Sequence, residues 1–383
     1  MVSAPSSHRD AYQLAVDARD PRFDGVFFVG ITTTRVYCRP ACKSRLAYDR
    51  HRRFFNSAAA AERAGFRPCL RCRPELAPGR GVATPLDAVS RLAQLAAQRI
   101  AAGALNGRSV AELAAELRVS ARHLRRALER EVSVSPLELA QTHRLLLAKR
   151  LLVDTDLPMT RVAYASGFQS LRRFNTVFRE QYRMAPSALR HGRVTPARTE
   201  GSLGLTLSYR PPLAWEPLLR SLGSEAPRCE RSVQIEGHVG VVVVENSAAD
   251  SHLVVEISES LLPVLMSLIS GLRRVFDLDA EPAVIDAHLS ASGLAELVRR
   301  WPGVRVPGVS PDAFDATDRV LQRAAGVTSA QALLTRAERW RPWRAYAAQL
   351  LRLSRSEERG SVRNAAATHR HVTSITPIMP SRD

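Results

Sequence analysis

The chain of 383 residues has no long apolar run, a deficit of acidic residues and only five cysteines. Its longest nearly apolar stretch, around Leu261 to Leu268, falls far short of the roughly 18 to 20 residues that cross a bilayer, so no membrane partner is expected. The N-terminal MVSAPSSHRDAYQLAVDARD lacks the charged flank and apolar core of a secretory signal, which predicts a soluble protein of the reducing cytoplasm. At 45% hydrophobic residues the chain is too apolar to be disordered, and its length accommodates about two to four domains. Asp and Glu number 37 against 55 Lys and Arg. The imbalance is local: residues 1–200 hold 34 basic and 17 acidic side chains, residues 201–383 hold 21 and 20, so +17 of the net +18 lies in the first half. A surface that binds polyanions, double-stranded DNA above all, is expected there.

Four of the five cysteines fall in two close pairs, Cys38 and Cys42 in YCRPAC and Cys69 and Cys72 in RPCLRC, with 26 residues between the pairs. One loop can bring such pairs together as four thiolates at about 2.3 Å from a tetrahedral Zn2+, a soft d10 ion suited to sulfur. A disulfide framework is the lesser alternative, because it needs an oxidising compartment. On spacing alone the site is a closed structural zinc that replaces a core too small to fold by itself. Its surroundings point further. Arg35, Arg39, Lys43, Arg45, Arg67, Arg71 and Arg73 flank the cysteines, a density of cations that suits a phosphate backbone. Cys229 stands alone and is expected to be buried.

Short β segments such as Val26 to Ile31, and a helix from Ala58 to Ala64 between the cysteine pairs, make residues 1–78 a small α+β metal module. A Gly/Pro-bearing stretch, Pro74 to Pro85, separates it from an all-α region, residues 85–193. There Val110, Leu113, Ala114 and Leu117, and again Leu145, Leu146, Lys149 and Leu152, recur at helical spacing with charges facing away. Within it, Ser109 to Glu131 reads as helix, turn and helix with Ser120 as a cap, and MTRVAYASGFQSLRRFNTVFREQYR repeats the unit with Gly167 in the turn and Ser170 as the cap. A long helix, Pro136 to Val153, joins them. Residues 202–288 form an α+β domain, with strands at Leu203 to Tyr209, Val233 to Ile235, Val239 to Glu245 and Leu253 to Ile257 and a helix from Ser260 to Phe276. Residues 289–355 are helical, and residues 356–383 form a polar tail expected to be disordered.

FFVGITTTRVYCRPACKSR followed by AERAGFRPCLRCRPE resembles the N-terminal domain of the Ada methylphosphotriester repair proteins over Ala11 to Glu75. The resemblance implies that Cys38, one of the four ligands, is also the nucleophile that accepts a methyl group irreversibly, and that Thr34, Lys43, Arg45 and Arg67 contact DNA. Two helix-turn-helix units joined by a long helix, with A-x-x-SGF-x-S-x-x-x-F-x-x-x-F in the second, resemble the AraC-family DNA-binding domain from Pro85 to Arg190. Its recognition helices would present Arg122, His123, Arg125 and Arg126 in the first unit and Gln169, Ser170, Arg172, Arg173 and Asn175 in the second. Leu124, Leu128, Phe174 and Phe178 belong to the core. Ser133 and Arg183 stand where that family usually has glycine; if positive φ is required there, each costs on the order of 1 kcal/mol and weakens one unit.

LSYRPPLAWEPLLRSLG, LMSLISGLRRVFDL and RWPGVRVPG resemble the N-terminal domain of AlkA-type 3-methyladenine DNA glycosylases, and PDAFDATDRVLQ with AERWRPWRAYAAQLL resembles the end of their catalytic domain. Asp318 then occupies the position of the catalytic carboxylate, although a first-turn helix aspartate also fits the macrodipole. Only Val309 and Ser310 lie between Gly308 and Pro311, so the helix-hairpin-helix with its LPGIG-like turn is missing and the shortened helices cannot enclose a flipped base. No PCHR-like methyltransferase sequence occurs. The sequence therefore reads as an Ada-type regulator fused to an AlkA remnant: self-methylation at Cys38, then activation of alkylation-repair genes, with DNA and RNA polymerase as partners in the nucleoid. A DNA-binding regulator with an inert zinc, or a working base-excision enzyme, is the alternative.

Overall fold

A computed structural model of the chain describes residues 6–45, 47–79, 88–190, 201–224, 227–308 and 337–356. The tail 357–383, the segment 309–336 with Asp318, and the junctions 80–87 and 191–200 lie outside the described residues.

The metal module opens with α1 (Ser6–Asp17), followed by the strands β1 (Phe28–Ile31), β2 (Val36–Cys38), β3 (Arg52–Phe55) and β4 (Arg67–Pro68) and, before β4, the helix α2 (Ala58–Arg63). The sheet order is β3-β1-β2-β4; the first three pair antiparallel, and β2 pairs with β4 in parallel. Gly30 in β1 permits this packing, because a Cβ there would lie 2.7 Å from the Phe55 ring and 2.8 Å from Phe66. Tyr12 stacks on Phe27 with centroids 4.0 Å apart, and Phe54 meets the same ring edge-on.

The helical region is α3 (Ala88–Ala101), α4 (Val110–Glu116), α5 (Ala121–Val132), α6 (Pro136–Asp154), α7 (Met159–Ala165), α8 (Leu171–Tyr182) and α9 (Pro186–Arg190). Serines cap four of these helices, Ser120 and Ser170 among them as the sequence predicts. Ser109 and Glu112 form a reciprocal capping box, as do Ser135 and Glu138, while Ser120 and Ser170 accept from the backbone N–H groups of His123 and Arg173. Gly167 holds the second turn at φ +87°, where a Cβ would strike Asn106. Ser133 and Arg183 do adopt left-handed conformations, φ 63° and 58°, yet α5 and α8 each keep twelve residues. At α5 the metal module helps: Asn56 Nδ2 donates to the Glu131 carbonyl at 3.2 Å and Ser57 Oγ to that of Val132 at 3.2 Å, satisfying carbonyls that a helix end leaves open.

One expectation fails on α6. Not all of its charges face away: Arg150 is buried, as is Lys149 on the stripe with Leu145 and Leu152. The second half of the helix is surrounded. The metal module's Glu62 accepts from Thr142 Oγ1 at 2.6 Å, Lys149 reaches into the same module, and the Arg150 guanidinium donates to the Thr206 carbonyl beyond it. With neighbours on every side, long cations on this helix find partners inside the protein rather than in water. Glu62 also accepts from Tyr37 Oη at 3.0 Å, and burial pushes its carboxyl from the ordinary 4.5 up to about 7. A carboxyl with a raised folded-state value stabilises fully below its unfolded value and loses that contribution as pH rises. Stability is therefore expected to fall between about pH 4.5 and 7 by on the order of 3 kcal/mol. Urea unfolding of the parent and Glu62→Gln across that range checks this: the parent's curve slopes downward and the variant's is flatter.

The α+β domain has a second antiparallel sheet, β5 (Ser202–Ser208), β6 (Cys229–Ile235), β7 (His238–Ser247) and β8 (His252–Ser258), in the order β5-β8-β7-β6. Alternation sends Leu203, Leu205, Leu207, Val242, Val244, Leu253, Val255 and Ile257 inward, against α10 (Trp215–Ser221) and α11 (Leu265–Val275). β6 starts four residues earlier than its apolar residues suggest, because pairing with β7 carries Glu230, Arg231 and Ser232 along its edge. The predicted helix from Ser260 begins as a 3₁₀ turn, Glu259–Val264, with Pro263 inside it, and becomes α-helical at Leu265. The inner face joins Leu145, Leu151, Phe174 and Phe178 of the helical region in one continuous core. α12 (Pro282–Leu289), α13 (Ala295–Arg300) and the described residues 337–356 pack around Trp301 and Trp340, with Trp343 half-buried. Cys229 is buried, as expected.

Candidate metal centre and nucleic-acid surface

β2 ends in Cys38, and its parallel partner β4 runs directly into Cys69, whose N–H donates to the Tyr37 carbonyl at 3.0 Å. That single pairing sets the first cysteine of each pair side by side. The turn after Cys38 is closed by the Cys42 N–H donating to the Arg39 carbonyl, and Asp24 braces it by accepting from the Ala41 N–H at 3.0 Å. In the second turn the Cys72 N–H donates to Cys69 Sγ at 3.5 Å. The four sulfurs all lie within 4.8 Å of one another, and each residue is 7–8% exposed.

This donor set fits a tetrahedral ion, whose sulfur-to-sulfur edge for bonds of about 2.3 Å is about 3.8 Å. As bare thiols the four compete for protons: hydrogen bonding to Cys42, Cys69 and Cys72 holds the Cys38 thiol far above its usual range, while hydrogen bonding to Cys38 brings Cys69 down to about 6. Four thiolates at this spacing require a cation between them. The four cysteines are thus positioned to bind a metal, and the family comparison below makes that metal zinc.

The candidate DNA contacts of this module fall in two places. Thr34 is exposed in the β1–β2 turn, and half-buried Arg67 lies beside that turn, its N–H donating to the Arg35 carbonyl at 2.8 Å. Lys43 and Arg45 are exposed on the chain leaving Cys42. Two of the flanking arginines are engaged elsewhere: Arg39 pairs with Asp24 at 3.1 Å, and Arg73 forms a two-bond pair with Asp154 at 2.7 and 2.8 Å and a further bond to Glu75. Buried carboxylates claim these cations before a phosphate can. Arg122, His123, Arg125 and Arg126 are exposed on α5, and Gln169, Arg172 and Arg173 at the start of α8; Ser170 is spent on its cap and Asn175 is half-buried. Leu124, Leu128, Phe174 and Phe178 are core. Asp318 lies outside the described residues. Sequence reasoning missed Glu62, Glu75 and Asp154, which join the metal module to α6; their partners lie 74 to 81 residues away in the chain, beyond any local pattern.

Among the described residues no helix is long and apolar enough to cross a membrane. Residues 11–75 match the family model for the metal-binding domain of Ada, residues 113–192 a helix-turn-helix domain, and residues 204–310 the AlkA N-terminal domain. A Mycobacterium tuberculosis protein named "Probable bifunctional transcriptional activator/DNA repair enzyme AlkA" is 34% identical over 331 residues, 82% of this chain and 66% of that one. The Escherichia coli bifunctional transcriptional activator/DNA repair enzyme Ada is 30% identical over 178 residues, 46% of this chain and 48% of its own. DNA-3-methyladenine glycosylase 2 of Escherichia coli is 29% identical over 125 residues, 30% and 42% respectively. The chain thus spans about two thirds of the first relative's length and less than half of the other two.

Proposed function

We propose that this chain, an Ada-type regulator joined to an AlkA-like N-terminal domain, takes a methyl group from a DNA methylphosphotriester onto Cys38 and then activates alkylation-repair genes through its two helix-turn-helix units. The observation that carries the reading is the cluster of four sulfurs within 4.8 Å, set beside the exposed Lys43 and Arg45 in a module that also caps α5. Bound Zn2+ supplies a deprotonated sulfur at neutral pH, so no general base is needed. Cys38 Sγ then forms a bond to the methyl carbon as the bond between that carbon and its phosphate oxygen breaks, the oxygen–phosphorus bond staying intact. The bonding pair stays on the phosphate oxygen, which leaves as an ordinary phosphodiester anion. Nothing in the step regenerates the thiolate, so each chain acts once.

The burial of Cys38 favours a second reading, a DNA-binding regulator whose zinc is purely structural. Intact mass before and after incubation with methylphosphotriester DNA separates the two: one added methyl supports transfer, and an unchanged mass supports the structural site. RNA polymerase is the protein partner that activation requires, and the nucleoid is where both partners meet. The AlkA-like half is read as a scaffold without base-excision activity, because only Val309 and Ser310 lie between Gly308 and Pro311, where the family's helix-hairpin-helix would stand. The domain limits 1–78, 85–193, 202–288 and 289–355 are proposed from the breaks in composition and pattern along the chain.

Methyl transfer is expected to strengthen specific DNA binding. Four thiolates on a divalent ion carry two negative charges in total, and methylating Cys38 leaves one. Near 7 Å in water, removing a unit of repulsion is worth about threefold per phosphate. The gain shrinks as salt screens it over about 8 to 10 Å. Because α5 and α8 are unchanged, the preferred sequence stays the same. Binding isotherms of both forms across a salt series check this, and equal affinities at low salt would remove the switch.

A further inference from the structure

Lys149 is fully buried in the middle of α6, between Leu145, Ala148 and Leu152, which are buried as well. Its Nζ does not extend to solvent but crosses into the metal module, donating to the Cys69 carbonyl at 3.0 Å and to Glu75 Oε2 at 2.5 Å. Glu75, 1% exposed, accepts from Arg73 at 3.0 Å through its other oxygen, and Arg73 runs on to Asp154 at the end of α6. The contacts bracket one hairpin. Lys149 holds its start at Cys69, and Arg73, the residue after Cys72, holds its end.

An apolar residue at position 149 would have packed with its neighbours at no desolvation cost, whereas a buried ammonium is tolerated only when fully paired. Residues that hold the backbone of metal ligands govern how tightly the ligands are held. We infer that Lys149, a residue of the DNA-binding region, is a positioning residue for the metal centre: it fixes the Cys69–Cys72 hairpin against α6 so that all four sulfurs converge. The inference rests on reading the four cysteines as a metal site. It makes the helix joining the two recognition units part of the frame of the methyl-acceptor centre.

The test uses the full chain loaded with zinc. Metal release to a competing chelator is followed for the parent, Lys149→Met, Lys149→Arg and Glu75→Gln, alongside single-turnover transfer from a methylphosphotriester duplex. Lys149→Met is expected to release metal about ten- to a hundredfold faster, Lys149→Arg to recover most of the loss because it can donate to the same carbonyl, and Glu75→Gln to fall between. Folded Lys149→Met that releases metal at the parent rate overturns the inference, as does Lys149→Arg as impaired as the methionine variant. If Lys149→Met does not fold, Glu75→Gln and Lys149→Arg decide: parent-like release by Glu75→Gln overturns it. Metal release needs no methylated DNA. A parent that holds zinc but accepts no methyl therefore defeats the proposed function and leaves this inference to be judged on release alone.

Discussion

Cys38→Ser is expected to abolish methyl transfer and to leave a chain that still folds. A serine hydroxyl is a far poorer nucleophile and zinc ligand at neutral pH than a thiolate, while Cys42, Cys69 and Cys72 remain to hold the ion with reduced affinity. Cys38 is the acceptor in the proposed function by its place in the motif; all four cysteines are buried alike, and two local features set Cys38 apart from Cys69. Cys69 Sγ accepts the Cys72 N–H, which draws on its lone pairs, and the Cys69 carbonyl is held from behind by Lys149. Cys38 instead closes a strand that starts two residues beyond exposed Thr34, with Arg67 alongside. Peptide mass mapping after incubation with methylphosphotriester duplex checks the assignment. The parent should carry one methyl, on the peptide containing Cys38, and Cys38→Ser none. A methyl on Cys42, Cys69 or Cys72 of the parent would overturn it.

The metal ligands were legible in the sequence because their information is local: three and two residues within the pairs, and one strand pairing to join them. The helix-turn-helix units were legible for the same reason, since caps such as Ser120 and Ser170 act within their own first turn. What was not legible is how the parts meet. Lys149 lay on an apolar stripe with no sign of what its ammonium meets, and Arg39 and Arg73 looked like two more cations for phosphate, since charge count cannot show which cations are already paired. Asn56 and Ser57 precede a short helix and gave no sign of completing the end of α5 more than seventy residues later. The shared core of α6, α8 and the second sheet was equally hidden, because each piece has an apolar face that could have been covered by its own domain.

Removing the metal is expected to unfold the N-terminal module and spare most of the helical region. In the core cluster around Phe27, four of the eight fully buried members are the cysteines themselves, so the ion stands in for side chains that the module lacks. Structural zinc in small peptides supplies about 10 to 16 kcal/mol at neutral pH, more than a module of this size can lose. The helical region depends on residues such as Leu113, Leu124 and Leu128 in one cluster and Leu145, Phe174 and Phe178 in another, and neither includes a cysteine ligand. The damage should reach α5 and α6 where the module completes them: at the carbonyls of Glu131 and Val132, at Thr142, Lys149 and Asp154, which would lose Glu62, the Cys69 carbonyl and Arg73, and where Ala59 and Ala60 join the first cluster. Limited proteolysis with a chelator, read together with amide hydrogen exchange, checks this. Cleavage should concentrate within residues 6–79, exchange should rise in the last turn of α5 and the middle of α6, and the rest of residues 88–190 should stay protected. A module that resists protease without metal would show that its aromatic core and its contacts with α6 suffice, and the ion would then serve chemistry rather than folding.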